Sequence, residues 1–402
     1  MSIVVLANKY KAHHINIIED KLPSLVYLDT YHSEEILKHN PSLVIVFDEH
    51  WCELGNCVGS LKAANVRVLQ IMDGILEWRR TWDYSFEGKG INGVINPLNQ
   101  PALADKIACL GYKDYRILQS WGNVGKCEIT GVPRLETLSH FRSDFSHLKS
   151  SKRKSILIVT AKTAYFTPAQ HATTKQSLLD LKAYFDAQGD YDVVWRLSLG
   201  LDKEIGVENK MNDLTGMEIH EILKNVDAVI TTPSTTILEA QLLKIPVAIL
   251  DYHNLPHYVE TAWSIYCKEH IDKTMQELFD PPQAKLDYQE FLLSDQVYMN
   301  SSSSDRLVTL IEGMLAVDVN SPDMNKSILN NIQHVSNIMH NDIIEYYDKF
   351  PVKEKDVQKL QIELAAAKGT ISELYKNLVN CRNRIENIPF YKLMCSLRKK
   401  LK

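Results

Sequence analysis

The sequence predicts an α/β protein in which two doubly wound parallel sheets follow one another along the chain. Three observations carry that expectation. Short apolar runs rich in β-branched residues alternate with stretches long enough to hold a helix. A polar, basic connector at residues 143–154 interrupts the alternation, which then restarts. Residues 226–250 read as strand, tight turn, helix and strand in the second half.

Size and composition agree with this. A chain of 402 residues fits two α/β domains and an appendage, divided at 1–150, 151–320 and 321–402. A hydrophobic content of 45% and a charged content of 24% are those of an ordinary soluble protein. A net charge of −5 gives no global pull toward nucleic acid. The seven cysteines form no CxxC pair and no zinc-type spacing with histidine, so free thiols in a reducing cytoplasm are expected. The N-terminus lacks a signal pattern, and no apolar run approaches the ~20 residues of a membrane span.

In the first half, residues 3–7, 25–28, 43–47 and 66–70 are expected strands. The fourth leads into Gln70-Ile-Met-Asp-Gly-Ile-Leu-Glu-Trp-Arg-Arg. An acid followed by glycine just past a strand sits where open α/β sheets place ligands. Asp73 is therefore a candidate general base, Gly74 allows close backbone approach, and Glu77, Arg79 and Arg80 are placed in the same cleft. An ordinary turn aspartate is the alternative. Residues 84–104 read as a long loop, 106–110 and 127–130 as strands, and 112–121 as a helix. Gly131-Val-Pro-Arg then calls for a special backbone angle at Gly131 and sends Arg134 out of the sheet edge.

In the second half, 155–160 is an expected strand whose loop carries Lys162 and Thr163. A helix over 174–188 leads to a strand over 192–197, with Arg196 near its end. Residues 217–224 are helical and 228–231 form a buried strand stopped by Pro233. Ser234 is expected to cap a helix through Leu243, with Glu239 on its second turn. A strand over 245–250 follows, then a loop with His253. Lys162, Thr163, Arg196, Ser234, Thr235 and His253 thus fall at carboxyl ends of strands in one sheet, where free N–H groups and cations attract a phosphate. A plain helix cap is the alternative for the Ser-Thr-Thr turn. Residues 285–320 read as mixed helix and loop, with the serines at 301–304 as loop or cap.

From Val357 to Ile388 apolar residues follow a heptad spacing, which predicts a coiled coil or a helix packed on its own body. No acid follows Glu386, and apolar residues there alternate with lysine and arginine. Such an end suits peripheral contact with an anionic membrane face, or is simply a solvated basic end.

Two consecutive α/β domains with nucleotide-type features in the second resemble the GT-B glycosyltransferase architecture. The turn at 231–239 resembles the Ser/Thr–Ser/Thr…Glu element of GT-B nucleotide-sugar enzymes. Four segments together are similar to bacterial β-Kdo transferases of capsule and O-antigen lipopolysaccharide synthesis. They are Gln70-Ile-Met-Asp-Gly-Ile-Leu-Glu-Trp-Arg, Ser120-Trp-Gly-Asn…Thr130-Gly-Val-Pro-Arg, Ile158-Val-Thr-Ala-Lys-Thr-Ala-Tyr-Phe and Thr231-Thr-Pro-Ser-Thr-Thr-Ile-Leu-Glu-Ala. The resemblance covers residues 1–320.

It implies two Rossmann-like domains, the first on the acceptor side and the second binding the nucleotide sugar, with a helical, coiled-coil-like tail. It implies transfer of Kdo (3-deoxy-manno-octulosonic acid) from CMP-Kdo to a saccharide with retention, through a covalent carboxylate adduct and without metal or other cofactor. Lys162, Thr163 and Arg196 would hold the donor's phosphate or carboxylate, Ser234 and Thr235 the CMP phosphate, and Glu239 the ribose or base, with His253 beside them. Asp73 matches the acid–glycine motif, and Glu77, Arg79, Arg80 and Arg134 lie on the acceptor side.

The chain departs from the pattern twice. It lacks the His-Pro that CMP-sugar transferases often carry after the strand ending at Leu199. Thr232 stands where related turns carry the aspartate nucleophile, which implies an inactivated variant or a relative with another mechanism. Expected partners are the donor, the saccharide acceptor, other glycosyltransferase domains or a coiled-coil partner, and the inner-membrane face. The competing readings are a CDP-glycerol-type polyol-phosphate transferase, a nucleotide-sugar epimerase and a non-catalytic scaffold of a polysaccharide assembly.

Overall fold

The computed structural model describes residues 2–9, 12–47, 52–77, 99–140, 154–207, 219–254, 258–318, 321, 324, 326–329 and 377. Residues 1–332 form one compact unit. The heptad stretch (Asn377 apart), the basic end, Arg79 and Arg80 lie outside the described residues.

The expected alternation yields two parallel sheets. The first contains β1 (Ser2–Val5), β2 (Leu25–Tyr27), β3 (Pro41–Val46), β4 (Arg67–Ile71), β5 (Lys106–Cys109) and β6 (Cys127–Ile129), in the order β2-β1-β3-β4-β5-β6. The second contains β7 (Lys154–Val159), β8 (Tyr191–Arg196), β9 (Ala228–Thr231), β10 (Val247–Leu250) and β11 (Trp263–Ile265), in the order β11-β10-β9-β7-β8. In both, the first strand lies between the second and third, so the winding reverses there. In the second sheet the reversal falls between β7 and β9, where Val159 pairs with Thr231 on one side and Arg196 on the other.

Alternate residues feed opposite faces, as a pleated strand requires. In the first sheet Ile3, Val5, Leu43 and Ile45 meet Leu307, Leu310 and Met314 of helix Ser303–Ala316. Val4, Val44 and Val46 face the other way, onto Leu54, Val58 and Leu61 of helix Cys52–Ala63. In the second sheet Ile156, Ile158 and Ile230 meet Leu178, Leu181 and Phe185 of helix Pro168–Gln188. The opposite face, with Leu157, Val159 and Val229, joins a core that runs on into Ile107, Cys109, Leu118 and Leu135 of the first sheet's side. At about 1.5–3 kcal/mol for each fully buried Leu- or Ile-sized side chain, this shared core holds the two sheets as one body.

Three local features sharpen the expectation. Helix Pro168–Gln188 begins before residue 174 because Thr167 accepts the Gln170 N–H at 3.1 Å and proline opens the first turn. The serine run is a cap: Ser302 accepts the Asp305 N–H at 3.1 Å and starts helix Ser303–Ala316. That helix falls in the 151–320 span, yet it packs on the first sheet.

A buried ion pair fastens this returning segment. Lys106 and Glu128, both fully buried, meet at 2.9 Å across β5 and β6. Lys106 also donates to the carbonyls of Gly125 (2.8 Å) and Lys326 (2.7 Å). Glu128 accepts from Ser327 Oγ and from the N–H groups of Ile328 and Leu329, at 2.8–3.2 Å. Every donor on the lysine and every oxygen of the acid is matched, the condition under which a buried pair is tolerated.

The joint between the sheets holds one poorly matched acid. Asp114, in helix Tyr112–Ser120, is buried with Oδ2 unpartnered. Burial pushes its carboxyl up to about 7, with the Asp295 charge adding to the rise and Lys113 opposing it. The folded value lies above the unfolded one, so stability is intact in acid and falls as pH rises from 3.8 toward about 7. The slope is about 1.4 kcal/mol per pH unit. Asp114→Asn is expected to stabilise the protein at neutral pH and to have little effect near pH 4. Melting temperatures of both proteins at the two pH values check this, and a pH-independent difference would count against it.

Candidate functional site

The carboxyl ends of both sheets supply the candidate residues. The loop after β1 carries helix His13–Asn16, and the loop after β4 carries Asp73 and Gly74. His14, fully buried, places Nε2 3.0 Å from Asp73 Oδ1. The Asp73 side chain is 62% exposed, so the acid opens to solvent while the imidazole behind it does not. Burial would raise the Asp73 carboxyl, but the His14 hydrogen bond and the charges of His14, Arg134 and His13 outweigh it and hold the group below the usual carboxylate range. Asp73 is thus a stable anion at neutral pH, and as a base it is weak.

Across the joint, helix Thr236–Leu242 brings Thr235 and Glu239 to the same place. A Cβ built on Gly74 would lie 2.3 Å from Thr235 Oγ1, so the acid–glycine turn and the Thr235 turn touch. Arg134, on helix Pro133–His140, bonds Glu239 Oε1 through Nη1 at 2.7 Å. The structure therefore unites Asp73, Arg134, Thr235 and Glu239. It joins Arg134 from the first sheet's side to Glu239 from the second's as one ion pair. Gly131 adopts φ +78° as expected, and a Cβ there would strike Ser303 Oγ at 2.2 Å.

The touching loops make a direct test. Gly74→Ala is expected to cost about 1–3 kcal/mol by overpacking. Adding Thr235→Ala should recover most of it, because the Thr235 Cβ lies at 3.6 Å, an ordinary contact distance. Urea unfolding of the single and double variants measures this; simple additivity would mean that the two turns are independent.

The turn between β9 and helix Thr236–Leu242 differs from expectation. Ser234 does not cap the helix; its hydroxyl pairs with Thr231 Oγ1 at 2.9 Å, and the N-cap position falls to Thr235, whose side chain makes no cap bond. Glu239 consequently lies on the first turn. Thr232 is 2% exposed, and its hydroxyl accepts the Ala161 N–H at 2.8 Å. That is the geometry of a brace between two strand ends; a nucleophile needs an open hydroxyl beside a base. Thr160 Oγ1 and Ser198 Oγ, 3.0 Å apart, brace the neighbouring strand end.

Around this braced crevice, Lys162 and Thr163 are exposed on the loop after β7. Arg196 ends β8, and its Nη1 is buried with no hydrogen-bond partner. His253, beyond β10, turns Nε2 toward Thr174 Oγ1 at 3.3 Å. Glu77 is half-buried on the loop beyond Gly74. Elsewhere on the first sheet's carboxyl rim lies a cavity of about 760 Å³ lined by Asp29, Tyr31, His32, Glu34, Glu53 and Asn56. His14 is the functional candidate that sequence reasoning missed. Its only local signal is a histidine pair at 13–14, beyond the end of β1.

No protein-family model matches the chain, and no curated protein matches it. Solved structures do. The wall teichoic acid polymerase TagF with CDPG is 15% identical, with 80% of this chain and 90% of that chain covered and a TM-score of 0.51. The S. aureus MnaA–UDP complex is 14% identical, with coverages of 80% and 98% and a TM-score of 0.55. A putative UDP-N-acetylglucosamine 2-epimerase from Listeria monocytogenes is 13% identical, with coverages of 78% and 96% and a TM-score of 0.53. At such identities the likeness shows the fold, a two-domain GT-B-like α/β architecture.

Proposed function

We propose that this chain is a glycosyltransferase-type enzyme that transfers Kdo, or a related acidic sugar, from a CMP donor to a saccharide hydroxyl. The observation that carries the reading is the meeting of Asp73 and Arg134 from one sheet with Thr235 and Glu239 from the other, at the carboxyl ends where doubly wound sheets bind ligands. The sequence resemblance to β-Kdo transferases supplies the donor.

The chemistry divides by charge. The second sheet's crevice carries the cations Lys162 and Arg196, and the unpartnered Nη1 of Arg196 is a donor that a phosphate or sugar carboxylate would satisfy. Neutralising phosphate charge makes CMP a competent leaving group. The first sheet's rim has the acidic cavity at Asp29, Glu34 and Glu53, which repels a phosphate and suits hydroxyl-rich acceptors. Asp73 lies on the loop after β4, next to the Gly74 that touches the Thr235 turn. Its depressed carboxyl favours stabilising positive charge at the departing sugar over removing the acceptor's proton. With Thr232 braced, a covalent adduct would need a carboxylate from elsewhere, and Asp73, exposed and next to the Gly74 that touches the Thr235 turn, is our candidate.

Incubating the full chain with CMP-Kdo, followed by measurement of CMP release and by mass spectrometry, tests the proposal. CMP release and a protein- or saccharide-bound Kdo are expected. If CMP-Kdo neither binds nor reacts while a UDP- or GDP-sugar does, the donor assignment is wrong. A phosphorus-containing product from CDP-glycerol would instead identify a polyol-phosphate transferase.

A further inference from the structure

We propose that His14 is a positioning residue for Asp73: it fixes one carboxylate oxygen through Nε2–H and leaves the other presented to the cleft beside the Thr235 turn. The inference deepens the proposed function but its structural content does not depend on the donor's identity.

The hydrogen bond has one sensible polarity. A carboxylate oxygen only accepts, so the proton between the 3.0 Å partners belongs to Nε2. The ring's other nitrogen, Nδ1, is buried and has no hydrogen-bond partner. A ring held only for packing would gain nothing from that orphaned atom, whose burial without a partner is costly. The bond that Nε2 makes offsets part of that cost. His14 is sealed from solvent, so it cannot itself take a proton from a substrate in the cleft. The Asp73 side chain is 62% exposed, and Oδ1 is its bonded oxygen. The arrangement inverts the familiar order in which a buried acid orients an exposed histidine: here the histidine is behind and the acid in front.

Among the described residues, three charged side chains act on the Asp73 carboxyl. His14 and His13 come from the loop after β1, and Arg134 from helix Pro133–His140. Arg134 is already paired to Glu239, and His13 acts only through its charge, which leaves His14 as the hydrogen-bond donor to the acid. The neighbouring Phe47 ring lies 6.3 Å from the His14 ring, centroid to centroid, and contributes no polar contact.

Two NMR measurements on the full-length chain test this, and neither uses a substrate. In the wild type, ¹⁵N-histidine spectra are expected to show His14 with the hydrogen on Nε2; a hydrogen on Nδ1 alone overturns the proposal whatever the variants do. In ¹³C-aspartate-labelled protein, His14→Phe is expected to raise the Asp73 titration midpoint by about one pH unit or more. His14→Gln, whose side-chain N–H₂ reaches the Nε2 position, should hold it below the His14→Phe value, because the hydrogen bond is kept. An unchanged midpoint in His14→Phe, with the fold retained, also overturns the proposal. With CMP-Kdo as substrate, His14→Phe should lower kcat with little change in KM, and His14→Gln should restore part of it. Failure of CMP-Kdo to react would sink the donor assignment while leaving the NMR result to decide the role of His14.

Discussion

Asp73→Asn is expected to lower turnover of the donor by about 10²–10³-fold while leaving the fold intact. The reason lies in what the substitution keeps. The asparagine carbonyl can still accept from His14 Nε2, and Arg134 still has Glu239 as its partner, so shape and local bonding survive while the charge is lost. Steady-state rates with CMP-Kdo, together with a melting curve, separate the two. Near-wild-type turnover would remove Asp73 from the chemistry. The sign of the pH dependence follows from the depressed carboxyl. A lowered group keeps its charge above its folded value and loses it only as pH falls below that, under the ordinary 3.8. The Asp73 limb of a rate profile therefore belongs in strong acid, and any limb near neutrality reports another group.

Breaking the Lys106–Glu128 pair is expected to have the largest effect on stability. Lys106→Met leaves Glu128 as a fully buried acid without its cation, at a cost of about 3–5 kcal/mol. Against a typical total of about 5–15 kcal/mol, that is a large fraction. The double variant Lys106→Met/Glu128→Leu is not expected to be neutral, unlike a simple pair-for-hydrophobe exchange. It also strips partners from the N–H groups of Ile328 and Leu329 and from the carbonyls of Gly125 and Lys326. Urea midpoints for the single and double variants check this. Equality of the double variant with the wild type would show that the pair does not hold the returning segment.

Much of the fold was legible because it rests on local periodicity. Strand β9 spans residues 228–231 as expected, since a run of four buried residues bounded by a proline-containing turn has few other solutions. Asp73 and Gly74 fall just past β4 for the same reason. The special angle at Gly131 was readable from a glycine between a strand and a proline. Four features were not. Trp263–Ile265 is too short a run to announce itself as a strand, and helix Ile271–Phe279 went unassigned although Asp280-Pro-Pro closes it. Ser234 was a reasonable cap, but Thr231 offered its hydroxyl a closer partner. Thr232 looked like a vacant catalytic position because a sequence does not show that the Ala161 N–H occupies it.

The sequence by itself determined the elements, their alternation and the grouping of polar residues at strand ends, because each follows from spacing over a few residues. Only the tertiary structure decided which of those ends meet. Arg134 and Glu239 are 105 residues apart, and His14 and Asp73 are 59 apart; no local pattern encodes either pair. They are brought together by strand order, by the apolar core shared between the sheets and by the helices that pack across the joint. The same packing sends helix Ser303–Ala316 back to the first sheet, where its apolar side chains cover a face that residues 1–150 leave open. Sheet pairing and core closure are long-range choices made by burial, and the candidate site is their product.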